Sequence, residues 1–277
     1  MKTFKNTMNK YGRTSIAMSK EHKEYLKKIK KQKIIVTVFQ ILIIIGINII
    51  WQIAADNNWI NTFISSSPKE IVKTIIKLNK DGSLIHHILI TLHEVIISFT
   101  LGTLLGFINA ITLWRYKILS KILDPYLTIL NSMPKVSLGP IIIIIFGASE
   151  KSIIIMALLI SVIITTINIH EAFIETDENK IKLLKSLKAS QRQILTKLII
   201  PSNINNFIST LKINIGLVFI GVTMGEFLVS KAGIGYLIMY GSQVFNLNLV
   251  VAGIIILAFM ASILYYLILF IEKRLSK

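Results

Sequence analysis

The feature that most constrains this chain is a stretch of 40 consecutive residues, 232–271, without one charged side chain. At 1.5 Å per residue this would make roughly 60 Å of helix, about twice the roughly 30 Å hydrocarbon core of a bilayer. Gly233, Gly235 and Gly241 punctuate its first third, so we read a short re-entrant or interfacial segment followed by a membrane span at 249–271. Four other apolar runs have span length: 34–55, 95–114, 152–169 and 207–228. A sixth, at 122–146, is interrupted by Pro125, Pro134 and Pro140 and carries Lys135 near its middle. Such a segment is kinked or partly unwound, which lipid tolerates only where protein or a water-filled path covers the freed backbone groups. The fold class expected is an all-α membrane protein of about six transmembrane helices.

Composition agrees, with 53% hydrophobic and 16% charged residues and a mean hydropathy of +0.67. The net charge of +17 would suggest a nucleic-acid partner in a soluble protein. Here the basic residues cluster between long apolar runs, which points to a lipid membrane and no nucleic acid. Counted from a cytoplasmic N-terminus, the inner segments 1–33, 114–121, 170–212 and the C-terminal tail hold 24 of the 31 Lys and Arg residues, and the outer segments hold 6. The positive-inside rule then places both termini in the cytoplasm. The basic leader, 1–33, is too long for a cleaved signal peptide, so 34–55 is read as a retained span. The domains expected are this basic segment, 1–33, and a six-helix transmembrane body, 34–277, that includes the loop 171–206.

Cysteine is absent, which excludes disulfides, thiolate metal sites and a cysteine nucleophile. The sequence has no G-x-x-x-x-G-K-[ST] phosphate loop, no H-E-x-x-H and no G-x-S-x-G. His86, His87, His93 and Glu94 are read as interfacial polar residues rather than a metal site. Ser67-Pro68 followed by Ile71, Val72, Ile75 and Ile76 predicts a short amphipathic helix on the outer surface. Gly102, Gly106 and Ala110 recur every four residues, as do Gly221 and Gly225. Small residues at that spacing let helices approach closely, either within one protomer or across a dimer. Lys135 and Glu226 are the intramembrane charges, and such charges usually face a partner, a cavity or a path. With Asn131, Met133 and Thr223 they form the candidate lining of a translocation pathway.

The most informative segment is the loop 171–206. Ile181, Leu184 and Leu187 share one helical face and Ile194, Leu195 and Leu198 form a second apolar set. Two short amphipathic helices joined near Lys188–Ser190 between membrane spans make a docking surface for a soluble protein.

This loop resembles the cytoplasmic EAA loop of binding-protein-dependent ABC importer permeases. In that pattern E-A-A is followed after three residues by G and after nine more by I-x-L-P. Lys182-Leu183-Leu184, Lys188 and Leu198-Ile199-Ile200-Pro201 occupy those positions. The spacing and Pro201 match, while the Glu and Gly do not. The segment 123–152, with Pro134, Lys135, Pro140 and Phe146-Gly147, resembles the third-span region of the aliphatic sulfonate, nitrate and taurine subfamily. The segments Ser186-Leu187-Lys188-Ala189-Ser190 and 221–238 also resemble that subfamily, although Glu94 stands where it often has a basic residue. The resemblance spans about 51–274.

It implies the type I ABC importer (MetI-like) permease fold and a transport subunit that hydrolyses nothing. Two permease copies, a homodimer, would form the pathway in the cell membrane. Cytoplasmic ATPase subunits would dock on Ile181, Leu184, Leu187, Lys188, Ala189, Ser190 and Pro201, and an extracellular substrate-binding protein would deliver the solute. ATP and Mg would sit on the ATPase, with no cofactor on this chain. The solute would be a small anion, or a thiamine-pyrimidine precursor or similar heterocycle. Because family permeases have Gly where Lys188 stands, a different turn is expected there, with Leu184, Leu187 and Ala189 meeting the ATPase. An ion-coupled secondary transporter is the alternative of another class. It predicts paired broken helices and buried coupling acids, and the sequence offers one broken span. An intramembrane enzyme lacks a convergent nucleophile and base.

Overall fold

The computed structural model describes residues 20–275; the greater part of the basic segment 1–33 lies outside them. The chain divides after Ile60 into two compact units. In the first, helix α1 (Lys20–Asp56) runs without a break through the 33/34 boundary expected from composition. Its apolar part is long enough to cross a bilayer.

The second unit, from Asn61, opens with a single turn, α2 (Thr62–Ser65), and then α3 (Pro68–Lys80). Pro68 stands in the first turn of α3, where its missing N–H costs nothing. The Ser67 side chain accepts from the Glu70 N–H, and Ile71 is buried. This is the short amphipathic helix expected after Ser67. Next come α4 (Ser83–Arg115), α5 (Lys117–Ser132), a 3-10 turn (Lys135–Leu138), α6 (Gly139–Phe146) and α7 (Glu150–Ile174). After the loop region come α11 (Ile204–Val229), α12 (Ile234–Gln243) and α13 (Leu247–Leu275), with α8 to α10 in the loop itself.

Among the described residues, α1, α4, α7, α11 and α13 are long and apolar enough to span, and α5 with the 3-10 turn and α6, bent by 91°, brings the number to six where the pair counts as one broken span rather than a re-entrant loop. The break falls at Met133-Pro134, where proline removes an amide donor. Pro125 is accommodated within α5, and Pro140 stands in the first turn of α6. The 232–271 stretch resolves as expected into a short helix, α12, and a span, α13.

The second span differs from expectation. The apolar run 95–114 is only the later part of its helix: α4 begins at Ser83 and carries His87, Thr91 and Glu94 into the core. Charge marked the expected boundary, yet these polar groups lie on one face with Ser98, Gly102, Gly106 and Ala110, all buried. His86 and His93 remain outside that face.

That face packs on α7, which runs between α4 and α11. An added methyl at Gly106 would stand 2.5 Å from Thr165 Cβ, and one at Gly102 would overlap Ser161. On the other side a methyl at Gly221 would stand 2.6 Å from Ala157 Cα, and one at Gly225 would stand 2.9 Å from Ile153 Cα. Of the two readings of the glycine stripes, close packing inside one protomer is therefore the one observed. Asn214 Nδ2 donates to Thr103 Oγ1 at 3.0 Å, tying α11 to α4.

Two contacts bring the basic connections to one end of the bundle. Ser120 Oγ and His170 Nε2 are 2.7 Å apart, joining the start of α5 to the end of α7. Lys212 Nζ lies 2.7 Å from Glu272, joining the start of α11 to the end of α13. At the opposite end His93 Nδ1 is 3.0 Å from Glu150.

Candidate functional site

The loop between α7 and α11 is built from local signals. The Asp177 side chain accepts from the Asn179 N–H at 2.8 Å and starts α8 (Glu178–Ser186). The helix ends in a pair of bonds, Lys188 N–H to the Lys185 carbonyl and Ala189 N–H to the Leu184 carbonyl. This Schellman arrangement requires a left-handed residue just past the helix, and Lys188 supplies it at φ 58°. The expectation of a different turn is thereby corrected: the geometry that favours Gly in the family pattern is kept, and a lysine adopts it. Ser190 then caps α9 (Gln191–Ile194), accepting from the Gln193 N–H while the Gln193 side chain accepts from the Ser190 N–H.

The second arm continues through a π turn (Leu195–Ile199) into α10 (Ile200–Ser202), where Pro201 occupies the first turn. The Ile200 N–H reaches back five residues to the Leu195 carbonyl. Asn203 closes the arm. Its Nδ2 donates to Thr176 Oγ1 at 2.7 Å and to the Ile199 carbonyl at 2.9 Å, with Asn203 and Thr176 both buried. The far arm of the loop is thus tied back to its start, at Thr176 just past the end of α7.

The apolar residues of the loop divide between two directions. Ile181, Leu184 and Ala189 pack against Ile194, Ile199, Ile169, Phe173 and Ala110. Leu183 and Leu187 stand out, 60% and 70% exposed. Of the three residues expected to meet the ATPase, Leu184 and Ala189 are half-buried against the protein's own core, and Leu187 stands out beside Leu183. Ser190 is spent on its cap, and Lys188 is exposed.

The candidate pathway residues separate into two groups. Asn131, Met133 and Lys135 meet at the break between α5 and α6, where Lys135 Nζ donates to the Asn131 carbonyl at 2.9 Å. The lysine thus satisfies a carbonyl at the open end of α5. Asn131 and Met133 are exposed. Thr223 and Glu226 lie on α11 instead, and Glu226 is 1% exposed, so it does not face an open path in this protomer. Its carboxylate accepts from Thr91 Oγ1 at 2.6 Å and from the backbone N–H groups of Gly235 and Tyr236. A carboxylate at the start of α12 satisfies amides that the helix cannot. Thr91 Oγ1 in turn accepts from the Ile234 N–H at 2.8 Å, and His87 Nδ1 accepts from the Gly233 N–H at 2.9 Å. Gly233 has φ 109°, and a side chain there would strike the Glu226 carboxylate. Glu226, Gly233 and Gly235 therefore form one device that fixes α12.

Sequence reasoning missed Thr91, Thr176 and Asn203. The stripe His87, Thr91, Glu94 and Ser98, at spacings that share one face and continue into Gly102, was a readable signal for Thr91. Nothing in the sequence marked the Thr176–Asn203 bond.

Comparison with known proteins matches this architecture. The family described as binding-protein-dependent transport system inner membrane component matches residues 102–277. An aliphatic sulfonates transport permease protein (SsuC) of Bacillus subtilis is 28% identical over 228 residues, covering 82% of this chain and 83% of that protein. An ABC transporter permease protein of Haemophilus influenzae is 28% identical, covering 81% and 91% respectively. A formylaminopyrimidine transport permease protein (ThiX) of Halalkalibacterium halodurans is 27% identical, covering 68% and 74%. Among solved structures, an inward-facing conformation of the MetNI methionine ABC transporter superposes with a TM-score of 0.60 at 17% identity, covering 71% of this chain and 96% of the matched one. The fold is the type I ABC importer permease fold. The chain belongs to the binding-protein-dependent transport system inner membrane component family and is a multi-pass ABC permease of the cell membrane.

Proposed function

We propose that this chain, with a second copy, forms the translocation pathway of an importer driven by separate ATPase subunits. The ATPase docks on the loop 171–206, through Leu183 and Leu187. An extracellular binding protein delivers the solute at the opposite end. Both termini are cytoplasmic, the segment 1–33 sets that orientation, and the permease domain is 34–277. ATP and Mg are held by the ATPase and no cofactor by this chain.

The observation that carries this reading is the pinned and doubly capped loop, which holds an exposed apolar pair at the end of the bundle where the basic connections gather. Helix-in-groove docking puts its affinity in such anchors. Because Asn203 ties the loop to α7, and α7 packs on α4 and α11, motion of the loop is carried into the spans. Transport then follows from a population shift between two states of the bundle, driven by the differential affinity of the ATPase for each.

The solute in this reading is a small sulfonate-like anion, supported by the similarity to the sulfonate permease and by Lys135 at the helix break. An amino heterocycle is the second reading. It is favoured by the similarity to the formylaminopyrimidine permease and by Glu94 and Glu150, which line a cavity of about 530 Å³ beside the start of α7. Reconstitution tests the proposal. Liposomes with this chain, the ATPase, the binding protein and MgATP accumulate solute, and liposomes with this chain alone do not. Accumulation driven by an ion gradient through the single subunit contradicts it. Competing the uptake with taurine or with an aminopyrimidine separates the two solutes.

A further inference from the structure

A second cavity, of about 490 Å³, lies at the basic end of the bundle, between the α4–α5 junction, the end of α7 and the loop. Its volume falls within the range of about 300–1,000 Å³ typical of small-ligand sites. Arg115, Lys117, Lys121 and Lys185 line it. None of these four forms an ion pair among the described residues, and the one lining acid, Glu178, already pairs with Lys182 at 3.3 Å. Four cations around one cavity repel one another, so the cavity favours an anion.

The rim tells what kind. Trp114 and Ile174 line the cavity, and Ile174 is 61% exposed. Tryptophan belongs at the membrane–water boundary, and an exposed isoleucine beside it suits contact with acyl chains. Basic pockets between transmembrane helices on the cytoplasmic side suit anionic headgroups. We propose that this cavity binds the phosphate headgroup of an anionic membrane lipid, whose chains lie along Trp114 and Ile174. The site rests on the orientation proposed above. Since Lys185 and Gln191 of the loop also line it, a bound headgroup bridges α5 to the loop and holds the loop in its docking position.

The test is native mass spectrometry of the purified full-length permease titrated with phosphatidylglycerol, with phosphatidylcholine, and with inorganic phosphate as competitor. Phosphatidylglycerol binds in preference to phosphatidylcholine and survives phosphate. The Arg115→Gln/Lys117→Gln/Lys121→Gln variant weakens it by about fivefold per charge removed, while Arg115→Lys/Lys117→Arg/Lys121→Arg retains it. Equal binding of the two lipids, or undiminished phosphatidylglycerol binding by the glutamine variant, overturns the site. Displacement by phosphate with no lipid preference assigns the cavity to a soluble anion and overturns the lipid assignment. Should the triple variant fail to fold, Lys121→Gln alone is measured, with the same fivefold loss expected. Lipid binding is read without the ATPase, so its failure is distinct from failure of ATPase docking, which co-purification reads separately.

Discussion

The Asn203 side chain donates to Thr176 Oγ1 at 2.7 Å across 27 residues of chain, with both residues buried. This bond ties the far arm of the loop 171–206 back to Thr176, just past the end of α7. Replacing Asn203 by Leu removes the donor to the Ile199 carbonyl and to Thr176 Oγ1, which keeps only its long bond to the Ala172 carbonyl; a buried group left unsatisfied costs about 1–3 kcal/mol. The expected outcome is ATPase that still binds but drives less transport. Measuring ATP hydrolysed per solute imported checks this, and an unchanged ratio counts against the coupling role.

Lys188 occupies the left-handed position that ends α8. Glycine reaches that conformation without the roughly 1–2 kcal/mol that it costs other residues. Lys188→Gly therefore raises thermal stability and retains ATPase recruitment, whereas Lys188→Val lowers stability. Thermal unfolding of the purified variants in detergent reads the difference; a destabilised Lys188→Gly protein would contradict the assigned turn.

Much of the loop was legible because its determinants are local. Apolar spacing marked two short helices, and Ser190 with Gln193 three residues on makes a capping box. Periodicity defines a face but not what the face meets, so Leu184 and Ala189 were expected to reach a partner when they cover Phe173 and Ile199. The break in 122–146 was legible from its prolines. The start of α4 was not, because polarity at His87 and Glu94 mimics a membrane boundary until α12, far away in sequence, folds over it. Glu226 and the Gly233, Gly235 pair were visible as a pattern, and only the tertiary fold shows that the carboxylate holds the helix that the glycines begin.

Glu226→Ala leaves Thr91 and the first amides of α12 without their acceptor, and each stranded group costs about 1–3 kcal/mol. Glu226→Gln keeps one carbonyl oxygen and loses less. Thermal unfolding should rank wild type above Gln and Gln above Ala; equal stability of all three would show that α12 is held by other contacts.

The glycines separate by what surrounds them. Gly221→Ala drives a methyl to 2.6 Å from the Ala157 backbone, while nothing lies within 4 Å of a methyl at Gly216. Gly221→Ala is expected to be poorly expressed or destabilised. Gly216→Ala should be neutral or gain up to about 1 kcal/mol of helix propensity. Yield and melting temperature of the two variants decide it.

Lys135 donates to the Asn131 carbonyl at the break between α5 and α6, and in the proposed pathway its charge would have a second use. Lys135→Met is expected to lower anion uptake severalfold while assembly with the ATPase is unchanged. Normal uptake by this variant removes the pathway role.

The central claim is that the exposed pair Leu183 and Leu187 recruits the ATPase. The most direct measurement is co-purification of the ATPase with membrane-inserted Leu187→Asp and Leu183→Asp proteins, beside wild type and Lys188→Gly. Recruitment is predicted to fall at least tenfold in each aspartate variant, on the order of the affinity carried by a buried leucine anchor, and to persist in Lys188→Gly. Full recruitment by well-inserted Leu187→Asp and Leu183→Asp proteins would contradict the assignment of this loop.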